Sequence, residues 1–420
     1  MTQSRIWFVS EIYYPELTST GNALTALSGG LADRYDVRVL CGQPTYAARG
    51  VNAPKRETYQ GVRIYRCWGT RGNKDRLHFR ILNLITISIS LFLQCLWRFR
   101  RGDRVMVVTN PPVLPFLVAA ACHWKRIPCL LLVHDVYPEF AIVAGVLKPQ
   151  SLLARVWAAL MRRLCRNIDQ IAVLGRDMQE VIRRKRGRNP QDVRVITHWA
   201  DLKNIHPTPR KENRLLREHG LVDKFVLQYA GNMGPVHDVE LLIRAAELVA
   251  DLPDVHFLVI GSGRRMPLLK QRIQETGLKN FTMLPPRPRK EAVEFLNACD
   301  VALSIFVPGM YGISVPSRLY DILAAEKPIL AVTEERSELG LLLAEEKIGW
   351  VVPPGDLEGF ARAIREAYAQ RDQLGIIGRR ARMVVENKYR LDQIVQSLDE
   401  VFSLMANPPK ESRALAAELK

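Results

Sequence analysis

His206-Pro207-Thr208-Pro209-Arg210-Lys211-Glu212-Asn213 interrupts an otherwise regular pattern, and its reading decides the fold. Its two prolines fix φ and remove backbone donors, so neither a helix nor a central strand runs through it. Upstream, apolar strands alternate with helical spacing. Strands fall at Arg5–Ser10, Val37–Cys41, Val62–Cys67, Arg104–Thr109, Cys129–Val133, Gln170–Val173 and Val193–Ile196, with helices at 22–34, about 79–100, 113–125, 151–166 and 176–186. Downstream a second series begins at Phe225–Ala230. It continues through strands Val255–Ile260, Phe281–Leu284, Val301–Ser304, Ile329–Val332 and Trp350–Val352, with helices at 238–250, 265–276, 290–299, 317–325 and 336–345. Such alternation predicts parallel sheets with helices on both faces. The interruption is then an interdomain connection, giving domains 1–205 and 206–390, followed by 391–420 as a last helix and a frayed polar tail after Asn407.

The 420 residues suit two to three domains at ordinary domain sizes. Hydrophobic residues at 48% and charged residues at 25% are globular values, which excludes wholesale disorder, collagen and coiled coil. Seven cysteines without a C-x-x-C pair argue against a disulfide scaffold or zinc module and fit a reducing compartment. The N-terminus lacks the apolar run and cleavage site of a signal peptide. Charge is uneven: residues 1–210 hold 32 Lys and Arg against 14 Asp and Glu, whereas residues 211–420 hold 28 against 29. A basic half attracts a polyanion, whether nucleic acid, an anionic bilayer or a phosphorylated substrate. No aromatic-rich RNA motif or recognition helix supports nucleic acid.

Residues 81–97 contain no charge and would span roughly 25 Å as a helix, slightly short of a bilayer core. Arg76, Arg80, Arg98, Arg100 and Arg101 flank them, and Asn83, Thr86, Ser90 and Gln94 recur on one face. Three readings stand: a true span, a buried crossover helix, or a crossover helix whose outer face meets a membrane interface.

Open α/β sheets bind ligands beyond the carboxyl ends of their strands, so the residues just after strands carry the chemistry. No G-x-x-x-x-G-K-[ST], H-E-x-x-H, G-x-S-x-G or D-x-D occurs. That argues against a P-loop NTPase, a zincin, an α/β-hydrolase and metal-held nucleotide. Tyr229-Ala230-Gly231-Asn232-Met233-Gly234 and Gly261-Ser262-Gly263-Arg264-Arg265 each stand between strand and helix. They read as tight turns or as amides and a guanidinium around phosphate. His134-Asp135-Val136-Tyr137-Pro138-Glu139 follows an apolar strand and reads as a capped loop or an acid–base pair. In Val315-Pro316-Ser317-Arg318-Leu319-Tyr320-Asp321, Ser317 reads as a helix cap, Arg318 as a diphosphate ligand in the first turn, and Asp321 as a partly exposed carboxylate for ribose hydroxyls.

Together with Tyr14-Pro15-Glu16-Leu17-Thr18 and Gly21, these stretches resemble the GT-B glycosyltransferases of the large retaining family four. The narrower resemblance is to bacterial capsule, colanic-acid and O-antigen fucosyl or N-acetylfucosaminyl transferases. The motifs run in family order over nearly the whole chain. The resemblance implies two Rossmann-like domains facing a cleft, a last helix that crosses back to the first domain, and a UDP or GDP sugar held mainly by the second. On that pattern Asp321 matches the second of a glutamate pair. The first falls at Ile313, so backbone groups of Gly312–Val315, Ser314 among them, stand in for it. The family's Arg/Lys pair falls near Asn232 and His237 and is missing, which leaves Arg264 and Arg318. His134 matches a histidine near the donor sugar and Asp135 the acid of the subfamily, with Glu16 and Gly21 on the acceptor side. The expected activity is metal-independent, retaining transfer to a lipid-linked, polyprenyl-diphosphate glycan. Its setting is surface polysaccharide synthesis at the inner face of the cell membrane, with no cofactor and no nucleic acid. An epimerase or hydrolase on the same fold is the alternative, and a basic nucleic-acid binder a more distant one.

Overall fold

The computed structural model describes residues 3–16, 18–45, 51–72, 76–187 and 193–406. Leu17 and the tail after Asn407 lie outside the described residues. The first sheet is built from β1 (Arg5–Val9), β2 (Asp36–Cys41), β3 (Arg56–Tyr59), β4 (Val62–Arg66), β5 (Arg104–Val108), β6 (Cys129–Val133), β7 (Gln170–Val173) and β8 (Val193–Val195). Their spatial order is β3-β4-β2-β1-β5-β6-β7-β8. The second sheet holds β9 (Phe225–Asn232), β10 (Val255–Ser262), β11 (Phe281–Leu284), β12 (Val301–Ile305), β13 (Ile329–Val332) and β14 (Gly349–Val352), ordered β11-β10-β9-β12-β13-β14. Every pairing is parallel except β3 with β4. That antiparallel edge departs from the sequence reading. Gln60 and Gly61 both take positive φ, a two-residue hairpin whose twist matches the strands it joins.

Central strands such as β6, Cys-Leu-Leu-Leu-Val, are buried throughout because helices cover both faces of a parallel sheet. The order of each sheet reverses once, beside β1 and β5 in the first and β9 and β12 in the second. These are the places where an open sheet leaves a crevice at its carboxyl edge. The helix Leu391–Ala406 packs on the first domain. Its Leu398 and Phe402 join that core, and Asp399 accepts from Arg34 and from the Tyr35 hydroxyl at 2.5 Å each.

The uncharged segment forms the helix Leu77–Arg98, which is the crossover from β4 to β5. Asn83 and Ser88 point inward, while Thr86, Ser90 and Gln94 are half-buried. The Asn83 side chain donates to the Gly72 carbonyl (2.9 Å) and accepts from the Gly72 amide (3.0 Å), and Ser88, Leu91 and Cys95 are buried. Ile81, Leu82, Ile85, Ile89, Leu93 and Trp97 face outward and are exposed.

Candidate active site

A cleft of about 190 Å³ opens between the two sheets. The first domain contributes the start of helix Ser19–Leu31, where the Thr18 hydroxyl caps the helix by accepting from the Gly21 amide (3.2 Å) and Ser19, Asn22 and Ala23 line the wall. His198 and Trp199 follow β8. The second domain contributes Arg287 and Arg289 after β11, Phe295 and Leu296, and then Ser317, Arg318 and Asp321.

Three guanidiniums therefore line the cleft with Asp321, and Arg287 is also paired with Glu291 at 3.4 Å. Arg318 reaches cleft solvent but is walled by protein, and this desolvation lowers its proton affinity; its guanidinium lies 5.8 Å from the centre of the Phe295 ring. The Nε of Arg287 is buried and makes no hydrogen bond, so it is a donor without an acceptor. Arg289 bridges Asp201 (3.3 Å) and Asp321 (3.5 Å). A cationic cluster on a cleft wall favours an anion with several oxygens, and the planar forks suit a diphosphate.

Two expectations are corrected here. Ser317 is not a helix cap. The helix Leu319–Ala324 begins after Arg318, and the Ser317 hydroxyl instead accepts from the Ser19 hydroxyl across the cleft at 2.8 Å. Asp321 is not partly exposed but buried, with one oxygen accepting from the Asp201 amide (3.1 Å) and the other beside Arg289. Burial raises its proton affinity and Arg289 works against that rise.

The His134–Asp135 loop meets the second domain through backbone. Asp135 and Ser314 form an antiparallel bridge, and the Val136 amide donates to the Ile313 carbonyl at 2.9 Å. The Thr109 hydroxyl fixes the strand end by accepting from the His134 (3.0 Å) and Asp135 (3.3 Å) amides. Burial pushes the Asp135 carboxyl up to about 6 and His134 down to about 4. His134 Nε2 is buried without a hydrogen bond. Its ring lies 5.8 Å from that of His198, itself pushed down to about 3 by burial and by His134. A neutral imidazole with an unpaired nitrogen thus stands one ring behind the cleft wall.

The remaining candidates lie outside the cleft lining. Gly231 and Gly261 pair in register as β9 and β10 run past the sheet edge, and a Cβ on Gly261 would sit 1.9 Å from the Gly231 carbonyl oxygen. A Cβ on Gly263 would sit 2.3 Å from the Met233 carbonyl oxygen. Asn232 pairs with Ser262, the Gly234 amide donates to His237 Nδ1 (3.1 Å), and Arg264 is exposed. Glu16 is buried and accepts from the Thr45 amide at 2.5 Å, and a Cβ on Gly21 would lie 2.4 Å from the Glu16 carbonyl oxygen. Sequence reasoning missed Arg287, Arg289 and His198. For the first two a signal existed, arginines in the proline-rich stretch Pro285-Pro286-Arg287-Pro288-Arg289 just beyond a strand end.

Comparison with known proteins agrees with this architecture. Residues 20–199 match the glycosyl transferase 4-like domain and residues 212–387 match glycosyl transferases group 1. A Pseudomonas aeruginosa protein named as a glycosyltransferase, WbjE, is 34% identical over 70% of this chain and 74% of its own length. WcaI of Escherichia coli K12, named for glycosyl transfer in colanic acid biosynthesis, is 24% identical over 84% of this chain and 90% of its own. The Anabaena HepE structure in complex with UDP superposes with a TM-score of 0.69 at 16% identity, covering 95% of this chain and 99% of that one. The two sheets, their shared cleft and these matches together make the chain a member of the group 1 glycosyl transferases, with the GT-B fold.

Proposed function

We propose that the chain moves a sugar from a nucleoside diphosphate sugar to a lipid-linked glycan, with retention, in surface polysaccharide synthesis. The observation that carries this reading is the grouping of Arg287, Arg289 and Arg318 with Asp321 on the wall of an interdomain cleft. UDP in HepE and the colanic acid role in the name of WcaI support the donor class and the setting. A fucose-type sugar on UDP or GDP, and a capsule or O-antigen product, are the first to test.

In this mechanism Asp321 receives the ribose hydroxyls, and the arginines hold the diphosphate. The turns Gly231–Gly234 and Gly312–Val315 and the Arg264 side chain stand outside the cleft lining, with the Gly234 amide given to His237 Nδ1 and the Gly312 amide to Asp177, so they join the anion site only if the loops rearrange on donor binding. As the bond from sugar C1 to phosphate oxygen breaks, the developing negative charge falls on donors already in place, so little reorganisation opposes the step. The acceptor oxygen attacks C1 on the same face, and its proton leaves either to the Asp135 carboxylate or, where Asp135 only orients the hydroxyl, directly to the departing phosphate. Asp135 orients or deprotonates the acceptor, His134 holds the donor sugar through its unpaired nitrogen, and Glu16 and Gly21 shape the acceptor side. On this reading the arginines take the charge of the leaving diphosphate that a metal ion would otherwise carry. The acceptor lies in the inner leaflet, so the enzyme works on the cytoplasmic side as a peripheral protein. The outward apolar face of helix Leu77–Arg98 supports that placement.

The direct test is thermal unfolding against a panel of nucleotide sugars, because a ligand of the folded state raises its midpoint. Arg318→Gln should weaken binding of the stabilising donor roughly ten- to a hundredfold, the loss of a charged hydrogen bond. Without donor its unfolding midpoint should be unchanged or higher, since the variant no longer desolvates a charge. Titration calorimetry with wild-type donor affinity in the variant would remove Arg318 from the site.

A further inference from the structure

The helix Leu152–Asn167 follows β6 and carries four arginines and no acidic residue. At 100° per residue its exposed surface divides in two. Leu152, Leu153, Val156 and Leu160 form one strip, with Arg163 set within it between Leu152 and Val156, and Arg155, Arg162 and Arg166 form the adjoining one. Leu152 is 75% exposed, Leu153 62% and Leu160 48%, so none of the described residues covers the strip. The opposite side packs inward through Met161, Leu164 and Cys165.

The placement of this helix follows from topology. The connections β4 to β5, β5 to β6 and β6 to β7 all advance in the same direction along the sheet. Right-handed crossovers then put their helices on one face. Helices Leu77–Arg98, Leu114–Lys125 and Leu152–Asn167 form that layer, while Ser19–Leu31, from the reversed step β1 to β2, packs with Leu391–Ala406 elsewhere. The layer also exposes Trp97 and Trp124.

We propose that Leu152–Asn167 is a second membrane-docking element, lying in the plane of an anionic bilayer. Its leucine strip enters the acyl boundary and Arg155, Arg162, Arg163 and Arg166 meet lipid phosphates. An apolar strip alone or a basic strip alone binds a bilayer weakly, and this helix joins the two. The arginine stems span the boundary while their heads stay at the phosphates. The arginine edge also borders an open groove reaching Glu139, four residues beyond Asp135. Docking through this edge brings the acceptor side of the site to the membrane surface. The inference rests on the reading of a lipid-linked acceptor, but its test reads attachment alone.

The test is flotation of the full chain with phosphatidylcholine vesicles, with and without phosphatidylglycerol. Wild type should float with the anionic vesicles. Leu152→Ser with Leu153→Ser and Leu160→Ser should lower the bound-to-free ratio at least about tenfold. Arg155→Gln with Arg162→Gln and Arg166→Gln should abolish the preference for anionic lipid. Both sets should keep the wild-type unfolding midpoint, because the changed side chains touch little protein. All seven native cysteines are buried, so Leu153→Cys offers a single site for a polarity-sensitive dye. The dye should shift blue on anionic vesicles. Wild-type flotation by the leucine and arginine variants, or a dye that stays unshifted on vesicles, would overturn the proposal. So would a dye already shifted without lipid, which would place a second copy of the chain on this face. A chain that floats through this helix yet transfers no sugar would instead contradict the functional reading and leave the docking intact.

Discussion

Asp135→Asn should lower sugar transfer by roughly 10²–10⁴-fold while leaving donor affinity within a factor of about two. Asparagine keeps the size of the side chain and much of its hydrogen bonding but cannot take a proton. The backbone bridge from Asp135 to Ser314 and the amide bonds to Thr109 need no carboxylate, so the loop keeps its place. Burial holds the folded carboxyl up at about 6, above the ordinary 3.8. Between those values the folded state keeps a proton that the unfolded chain has released. This group's contribution to stability is therefore complete below about 3.8 and falls as pH rises through about 6. At neutral pH the asparagine variant should be no less stable than wild type, which separates its catalytic loss from any folding defect. Wild-type transfer should rise with pH through about 6 as Asp135 ionises. His134 and His198, held down at about 4 and about 3, are already neutral there and add no limb. Initial rates across pH 5–8 with saturating donor check this. Near-normal turnover of the variant, or a limb that survives in it, would reduce Asp135 to a loop residue.

The largest effect on stability is expected at Gly261. Its φ is +147°, and a Cβ would meet the Gly231 carbonyl oxygen at 1.9 Å and that residue's carbonyl carbon and amide nitrogen within 3.2 Å. Gly261→Ala should cost roughly 3 kcal/mol or more from strain and displacement together. That corresponds to roughly 6–12 °C in the midpoint for a domain of this size. Gly231→Ala is the control, since its nearest contact would be the Tyr229 hydroxyl at an ordinary 3.4 Å. Calorimetric unfolding should show a large drop for the first and little change for the second. If the Gly231–Gly234 amides hold phosphate, Gly231→Ala should weaken donor binding without that drop.

These glycines also mark how far sequence reading reaches. The strand series was legible because buried parallel strands are short apolar runs separated by helical spacing. The stretch 206–213 reads as the connection because its prolines exclude a helix or a central strand, while Ala200 and Ile205 before it already pack in the core of the second domain. The glycine pairs were correctly placed at strand ends, but the sequence could not tell a backbone facing phosphate from one facing the next strand. Here Gly261 and Gly263 face β9 and the loop that follows it. Ser317 looked like a cap because serine before a helix usually is one. A contact with Ser19, 298 residues away, takes its hydroxyl instead. Asp321 looked exposed at a helix start, and its burial comes with the segment after β8 laid across it at Asp201. Helix Leu77–Arg98 shows the same limit. Its outer apolar face was foreseeable, but the inward turn of Asn83 depends on a loop at Gly72 that no periodicity records.

The central claim is transfer from a nucleoside diphosphate sugar to a membrane-linked acceptor, and it is tested most directly by following a labelled sugar. Purified enzyme, lipid extract and the donor that stabilises it are incubated in EDTA, and the anomeric configuration of the product is read by NMR. The account predicts label in the organic-extractable fraction, dependent on lipid extract, insensitive to the chelator, and with the configuration of the donor retained. Label recovered only as free sugar or as an epimerised nucleotide sugar, a product of inverted configuration, or turnover that requires added metal would contradict it.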